Sequence, residues 1–170
     1  KVFPDFPAYG DGITIEHLLQ HRSGLIDYEP LVPDSAAEQV HDADVLEMMK
    51  QQEAGYFTPG SEYRYSNSGY AVLAMVVEQR SDLSFADFLK ARIFEPAGMD
   101  HTVAFEDGVS TVPNRAMGYT VTDAGVEFTD QSLFSAVLGD GGIYSSLEDL
   151  TLWDAALYRD DLIGGPSKEQ

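Results

Sequence analysis

The chain has 170 residues, of which 44% are hydrophobic and 11% aromatic, a composition typical of a globular domain with its own core. Its 29 acidic residues against 10 basic ones give a formal net charge of −19, which excludes nucleic-acid binding and disfavours contact with an anionic membrane surface. The absence of cysteine excludes disulfides and thiol nucleophiles, and the longest apolar run, Ala71 to Val77, is far too short to span a bilayer.

Two helices are predicted in the first third of the chain. Thr14 is predicted to be the N-cap of a helix from Ile15 to His21, which Gly24 would stop. Asp42 is predicted to cap a second, short helix. The apolar residues of that second helix are Val45, Leu46, Met48 and Met49.

Three further helices are predicted downstream. The most apolar one begins at Ser66 or Asn67. The segment Ser84 to Asp87 opens a helix that Pro96 ends. Ser145 with Glu148 has the pattern of a capping box before the last helix. The predicted apolar faces are Tyr70, Leu73, Val76 and Val77 in the first of these helices, Phe88, Leu89 and Ile93 in the second, and Leu150, Leu152, Trp153 and Leu157 in the third.

Strand signals are limited to one hairpin. The segments Ala116 to Val121 and Val126 to Thr129 flank a turn at Thr122 to Gly125. Because a two-stranded hairpin is not stable alone, we expect it to lie on the helices. The sequence therefore predicts a mainly α fold with a small β-hairpin and no large sheet.

The segment with the most chemical content runs from Phe57 to Tyr70. Pro59-Gly60 predicts a turn and Tyr63 to Tyr65 an extended stretch, followed by a helix start. This arrangement projects the phenol of Tyr65 and the carboxamide of Asn67 from a strand-to-helix junction. A phenol beside a cation loses its proton more readily and can act as a general base or proton relay, and a carboxamide both donates and accepts hydrogen bonds. By itself the triplet is a weak signal, since a turn followed by an N-cap has the same sequence.

Three other places have both a functional and a structural interpretation. Ser23 lies near a histidine, but residues two apart on a helix point away from one another, which favours a structural turn. His41, Asp42 and Asp44 could be drawn as a metal cluster, but no further ligand has a suitable spacing, and an acidic helix N-terminus explains them better. Asp140, between two glycines, is interpreted as part of a turn rather than as a catalytic carboxylate.

Four sequence blocks resemble those of the class C β-lactamases and the related penicillin-binding proteins and esterases. ITIEHLLQHRSGL at residues 13–25 resembles the ITI-x-HLL-x-H-T-SGL segment of that family, with Arg22 in place of the threonine. FTPG at residues 57–60 and YSNSGY at residues 65–70 match the F-x-PG and Y-x-N-x-GY block. FEPAGMDHT at residues 94–102 is similar to I-x-x-PLGM-x-x-T, and GGIYSSLEDL at residues 141–150 is similar to GG-[L/M]-x-S-[ST]-x-x-DL.

The resemblance implies a mechanism. Members of this family acylate a serine of a Ser-x-x-Lys motif and then release the acyl group to water or another nucleophile. A Tyr-x-Asn motif and a Lys-Thr-Gly or His-x-Gly motif complete the site, and related class A enzymes have Ser-Asp-Asn in the middle position. Tyr65 and Asn67 match the middle motif. The resemblance therefore gives Tyr65 the role of general base or proton relay, and Asn67 the role of orienting the lysine and the substrate.

The other two motifs do not occur in this sequence. No serine is followed three residues later by lysine, no lysine lies in Lys-Thr-Gly, and no histidine has glycine two places on. In the family, the serine motif lies upstream of the ITI block and the third motif lies downstream of the GG block. We therefore expect residues 1–170 to be the central piece of a longer protein, truncated at both ends. We expect this chain alone to have no hydrolytic activity.

The resemblance also implies a domain and a function. Residues 1–170 are expected to form the helical domain inserted into the α/β domain of the β-lactamase/transpeptidase-like α+β fold, with most of the sheet missing. The parent protein is then a serine hydrolase that acts on β-lactams, D-amino peptides or esters through an acyl-enzyme. The alternative is a non-catalytic binding or structural module.

Further expectations concern cofactors, partners and location. We expect no cofactor and no metal, a small-molecule or peptide substrate, and self-association through an apolar face that truncation would expose. The family resemblance implies a periplasmic or secreted protein. Two interpretations of the acidity stay open, namely a strongly solvated surface and attraction of a cationic substrate or partner.

Overall fold

The computed structural model describes residues 1–160 and 162–163, and in that part the chain is mainly helical with small antiparallel sheets, as predicted. The helices are α1 (Ile15–Leu19), α2 (Asp42–Lys50), α3 (Asn67–Ser81), α4 (Phe85–Leu89), α5 (Glu95–Ala97) and α6 (Leu147–Leu157). Strand β1 (Val103–Ala104) pairs with β4 (Ile143–Tyr144), and β2 (Tyr119–Thr122) pairs with β3 (Gly125–Phe128). None of the described helices is both long and apolar enough to cross a bilayer.

Side-chain caps start three of the helices where the sequence predicts them. The hydroxyl groups of Thr14, Ser66 and Ser84 each accept a hydrogen bond from the backbone N–H three residues later, at 3.0–3.1 Å. Each bond satisfies an N–H group that has no partner within its helix. These caps fix where α1, α3 and α4 begin.

Two predicted caps are wrong by one residue. Helix α2 is capped by His41, whose backbone N–H donates to the carboxylate of Asp44 at 2.9 Å. Asp42 is instead the first residue of the helix, and its buried carboxylate accepts hydrogen bonds from the backbone N–H groups of residues 138 and 139. Helix α6 is capped by Ser146, whose hydroxyl accepts the backbone N–H three residues later at 3.1 Å, while the hydroxyl of Ser145 lies 2.8 Å from that of a threonine preceding β1.

Two helix ends also differ from the prediction. Helix α1 ends at Leu19 rather than His21, because His21 has a left-handed backbone with φ of 56°. Pro96 does not end the helix that starts at Phe85. The chain continues through a π-helical turn into α5, and Pro96 is tolerated in a first turn, where its missing N–H costs nothing. Gly98, with φ of 75°, ends it.

The core has two parts. The larger lies where α1, α2 and α3 meet, and the smaller lies between α4, its π-helical continuation and β1. The buried members of the larger part are Leu18, Leu25, Tyr28, Val40, Val45, Leu46, Met49, Ala71, Val72 and Val137, and those of the smaller part are Leu89, Phe94, Met99, Ala104 and Leu138.

The predicted apolar face of α3 is not its most buried face. Tyr70, Leu73, Val76 and Val77 are only half-buried, whereas the buried residues are smaller ones: Ser68, Gly69, Ala71, Val72 and Ala74. Small side chains allow neighbouring helices to approach closely. Large apolar residues therefore gave a misleading indication of which side of α3 is innermost.

The hairpin of β2 and β3 forms where it was predicted, although β2 begins at Tyr119 rather than at Ala116, and it does not lie on the helices. Tyr119, Val121, Val126 and Phe128 are all at least 60% exposed. The hairpin is held at its base, where the Asp130 carboxylate accepts a hydrogen bond from the backbone N–H of residue 118 and pairs with a half-buried arginine. A polar anchor therefore replaces the expected packing.

Candidate functional site

The segment before α3 runs beside the loop that follows α1. The N–H of Tyr56 donates to the carbonyl of Gly24 at 2.7 Å, and the N–H of Gly60 donates to that of Arg22 at 2.8 Å. The guanidinium of Arg22 returns a hydrogen bond to the carbonyl of Gly60, so the predicted Pro59-Gly60 turn is held from both sides. Arg22, which departs from the family pattern, thus supports the segment that carries the candidate site.

Tyr65 lies immediately before the N-cap of α3, at the junction that the sequence predicts, although residues 63–65 pair with no strand in the described part of the chain. Its side chain is 61% exposed. The cation next to it in sequence, Arg64, is directed elsewhere. The Arg64 guanidinium pairs with Asp27 at 2.8 Å and lies 4.1 Å from the centre of the Tyr56 ring.

Asn67 is the first residue of α3 and lies two positions after Tyr65. Its Nδ2 group donates to Oε1 of Glu29 at 2.7 Å, and both side chains are half-buried. A charge-assisted hydrogen bond of this kind fixes the orientation of the carboxamide. Next to it, the hydroxyl of Ser68 donates to the carbonyl of Ile26 at 2.7 Å, so the start of α3 is tied to the 26–29 loop at two points.

Burial raises the pKa of the Tyr28 hydroxyl, and the carboxylates of Asp140, Glu29 and Asp42 all lie close enough for their charges to raise it further. The hydroxyl of buried Tyr28 donates to Asp140 at 2.9 Å, and Asp42 accepts the backbone N–H groups of Leu138 and Gly139 at 2.9 and 2.8 Å. Burial, together with the charges of Asp42 and Glu29, raises the pKa of Asp140 to about 6, against the opposing hydrogen bond from Tyr28. Burial also raises the pKa of Asp42 above its ordinary value.

The alternative sites suggested by the sequence have structural roles. Ser23 is buried, and its hydroxyl accepts the N–H of Leu25 at 3.3 Å, as in a turn. His41 and Asp44 form the cap of α2, and within residues 1–160 and 162–163 no group of three or more metal-ligating side chains is placed to hold an ion. Asp140 lies in a turn as predicted, but its side chain is engaged with Tyr28 rather than free.

Sequence reasoning missed two residues of this region. Glu29 follows the ITI block outside any quoted motif, so no pattern linked it to Asn67, which lies 38 positions later. His21 lies inside that block, but its contact with the Tyr65 segment depends on a left-handed backbone that the sequence did not predict. The sequence signal that could have indicated a special role for His21 was a polar residue at the predicted end of a helix.

Comparison of the sequence with known proteins identifies the family of the chain. The sequence model of the Beta-lactamase family matches residues 1–170. Penicillin-binding protein 4* of Bacillus subtilis (strain 168) is 38% identical over 180 residues, which cover 98% of this chain and 40% of that protein. The D-aminopeptidase of Brucella ovis is 32% identical over 160 residues, which cover 89% of this chain and 29% of that protein. The chain thus spans well under half the length of these relatives.

The fold comparison agrees. The crystal structure of a penicillin binding protein from Bacillus halodurans superimposes with a TM-score of 0.80 at 28% identity, over 96% of this chain and 52% of that one. The helices and small antiparallel sheets described above thus match part of the β-lactamase/transpeptidase fold. From the match over all 170 residues and the relatives above 30% identity, the chain belongs to the Beta-lactamase family of penicillin-binding-protein-like serine hydrolases.

Proposed function

We propose that the parent protein is a serine hydrolase that acts through an acyl-enzyme, and that residues 1–170 contribute Tyr65 and Asn67 to its active site. The observation that carries the proposal is the junction before α3, where Tyr65 is exposed and Asn67 is oriented by Glu29. The serine and lysine of the Ser-x-x-Lys motif would come from other parts of the parent. There the serine hydroxyl attacks a carbonyl, its proton passes by way of Tyr65 to the leaving group, and water then cleaves the acyl-serine ester.

The experiment is active-site labelling of the full-length protein. A fluorescent penicillin or a fluorophosphonate should label it, and Tyr65→Phe should slow labelling by about 100-fold or more. Tyr119→Phe, on the exposed hairpin, is the matched control and should leave the rate unchanged. If folded full-length protein reacts with neither reagent, the hydrolase proposal fails and the non-catalytic module stands. The 170-residue chain by itself should not turn over nitrocefin.

Among the candidate substrates, peptides and amides of D-amino acids with a free amino group are favoured. Glu29 accepts a hydrogen bond from Asn67, and the nearby Asp140 and Asp42 carboxylates add negative charge to this region. An ammonium group near Asn67 would therefore be attracted. The Brucella ovis relative is a D-aminopeptidase. The full-length protein should therefore hydrolyse D-alanine p-nitroanilide faster than its N-acetyl derivative, nitrocefin or p-nitrophenyl acetate. Equal rates with the free and acetylated amines would contradict this preference.

We also propose a location and an interaction for the protein. A periplasmic or secreted location follows from the family resemblance, and cell fractionation would test it. Three leucines of α6 support self-association of the chain, because Leu147, Leu150 and Leu157 are 81%, 50% and 45% exposed on one side of that helix.

A further inference from the structure

The side chain and backbone of His21 bind the residues on both sides of Tyr65. The carbonyl oxygen of His21 accepts the N–H of Arg64 at 2.9 Å. Its ring atom Nδ1 accepts the N–H of Ser66 at 3.1 Å. Because one residue holds the N–H groups before and after Tyr65, the position of the Tyr65 backbone depends on His21.

Aromatic contacts add to these hydrogen bonds. The centres of the His21 and Tyr65 rings are 4.5 Å apart, with 33° between the planes. Tyr70 of α3 stacks on the same imidazole at 5.0 Å, and its hydroxyl donates to the carbonyl of Leu19 at 3.2 Å. Tyr63 meets the imidazole edge-on at 6.1 Å. The imidazole is therefore held by α3 and by the extended segment together.

The left-handed backbone of His21 is part of this arrangement. Its φ of 56° turns the chain at the end of α1, so that the His21 carbonyl and the imidazole both accept hydrogen bonds from residues 64–66. For most side chains this conformation is strained, whereas asparagine adopts it readily. Since Nδ1 accepts a hydrogen bond, it carries no proton, and the proton of the neutral imidazole is on Nε2.

We propose that His21 is a positioning residue for Tyr65, acting through an unprotonated Nδ1. Its catalytic consequence rests on the hydrolase function proposed above. The Ser66 N–H needs the lone pair of Nδ1, so loss of this acceptor should release the segment and move Tyr65. The titratable and charged groups around the imidazole are Tyr63, Tyr65 and Tyr70, while the Arg64 guanidinium is held by Asp27.

Two substitutions separate the acceptor from the rest of the side chain. Asparagine at position 21 tolerates the left-handed backbone and can present Oδ1 where Nδ1 was. Leucine has similar bulk and no acceptor, and it also strains the left-handed backbone. In the full-length protein, His21→Leu should lower kcat by about 100-fold with a small change in KM, because displacement of a catalytic group by about 1 Å has effects of that size.

His21→Asn, which keeps an acceptor, should retain kcat within about threefold. His101→Asn, at an exposed histidine, is the control and should match the wild type. Circular dichroism establishes that each variant is folded. Full kcat in folded His21→Leu, or a loss of kcat in folded His21→Asn as large as that in His21→Leu, would overturn the proposal.

A measurement independent of activity distinguishes failure of this proposal from failure of the hydrolase function. In protein labelled with ¹⁵N-histidine, the imidazole signal missing from His21→Asn belongs to His21. It should show the tautomer protonated on Nε2. The tautomer protonated on Nδ1 would overturn the positioning role, even in a protein that labels with penicillin. The Nε2 tautomer in a protein that never labels would support the positioning role while the hydrolase function falls.

Discussion

Asp140 is half-buried beside Tyr28, and its raised pKa makes a specific prediction for stability. The folded pKa of about 6 exceeds the ordinary value of 3.8 for an aspartate in the unfolded chain, so between these values the folded chain binds more protons than the unfolded chain. The stabilisation that comes from protonation of Asp140 is fully present below the unfolded pKa and is lost as the pH rises through about 6. The free energy of unfolding should therefore fall over that window.

Asp140→Asn keeps an acceptor for the Tyr28 hydroxyl and removes the charge. We expect this variant to exceed the wild type in unfolding free energy by about 1 to 2 kcal/mol at pH 8, after allowing for solvent screening, and to depend less on pH. Urea unfolding across the pH range measures this. Asp34→Asn removes the same charge at an exposed loop position and serves as the control. An equal gain in both variants would assign the effect to net charge alone.

At the same scale, the positions of Tyr65 and Asn67 at the start of α3 were predictable, because both lie within one short motif whose turn and cap are local in sequence. Their structural placement agrees with that prediction, and their catalytic roles stay a proposal. Glu29 was not predictable. Its partner is 38 residues away, and only the packing of the 26–29 loop against the start of α3 brings the two together.

At the scale of elements, close contact between two segments can require a glycine more strictly than backbone conformation does. Two glycines with the same conformation but different surroundings allow a comparison. Gly24 and Gly98 have nearly equal φ, 76° and 75°. A Cβ on Gly24 would clash with the carbonyl of Phe57, whereas a Cβ on Gly98 would meet no atom within 4 Å. Gly24 thus permits the close approach of the α1 loop to the segment that carries Tyr65.

Alanine at each position should separate the two requirements. Gly98→Ala should cost about 1 to 2 kcal/mol of unfolding free energy, from the left-handed backbone alone. Gly24→Ala should cost roughly 3 kcal/mol or more, because overpacking is added to the same backbone strain. Thermal and urea unfolding of both variants measure the difference. Equal losses would mean that the two loops can separate without penalty.

Helix starts were predicted to within one residue, because a cap joins a side chain to a backbone N–H only three positions away. The ends of two helices were not predicted. Helix α1 ends early because His21 has a left-handed backbone, and the helix that starts at Phe85 runs past Pro96 because it continues through a π-helical turn. The burial of α3 was also beyond the sequence. Hydrophobicity marks large residues, but close packing between helices selected Ser68 and Ala71.

At the scale of the whole molecule, a net charge of −19 opposes the association that the α6 leucines favour. Salt should tip this balance, since the Debye length falls from about 30 Å at 0.01 M to about 3 Å at 1 M. Light scattering of the 170-residue chain should therefore show a mass that increases with salt. Leu147→Glu with Leu150→Glu should abolish the increase, whereas Val109→Glu, at an exposed loop residue, should not. A monomer at every salt concentration would contradict the proposed self-association.

The sequence by itself determined the family, the mainly helical fold and the position of the candidate site, because these depend on short motifs and local periodicity. Its acidic composition also predicts that the chain does not bind nucleic acid. Only the tertiary structure decided that His21 brackets Tyr65, that Glu29 orients Asn67, and that Asp140 is half-buried beside Tyr28. Each of these contacts joins residues far apart in the chain, and their geometry follows from the packing of loops against α3 and not from any local pattern.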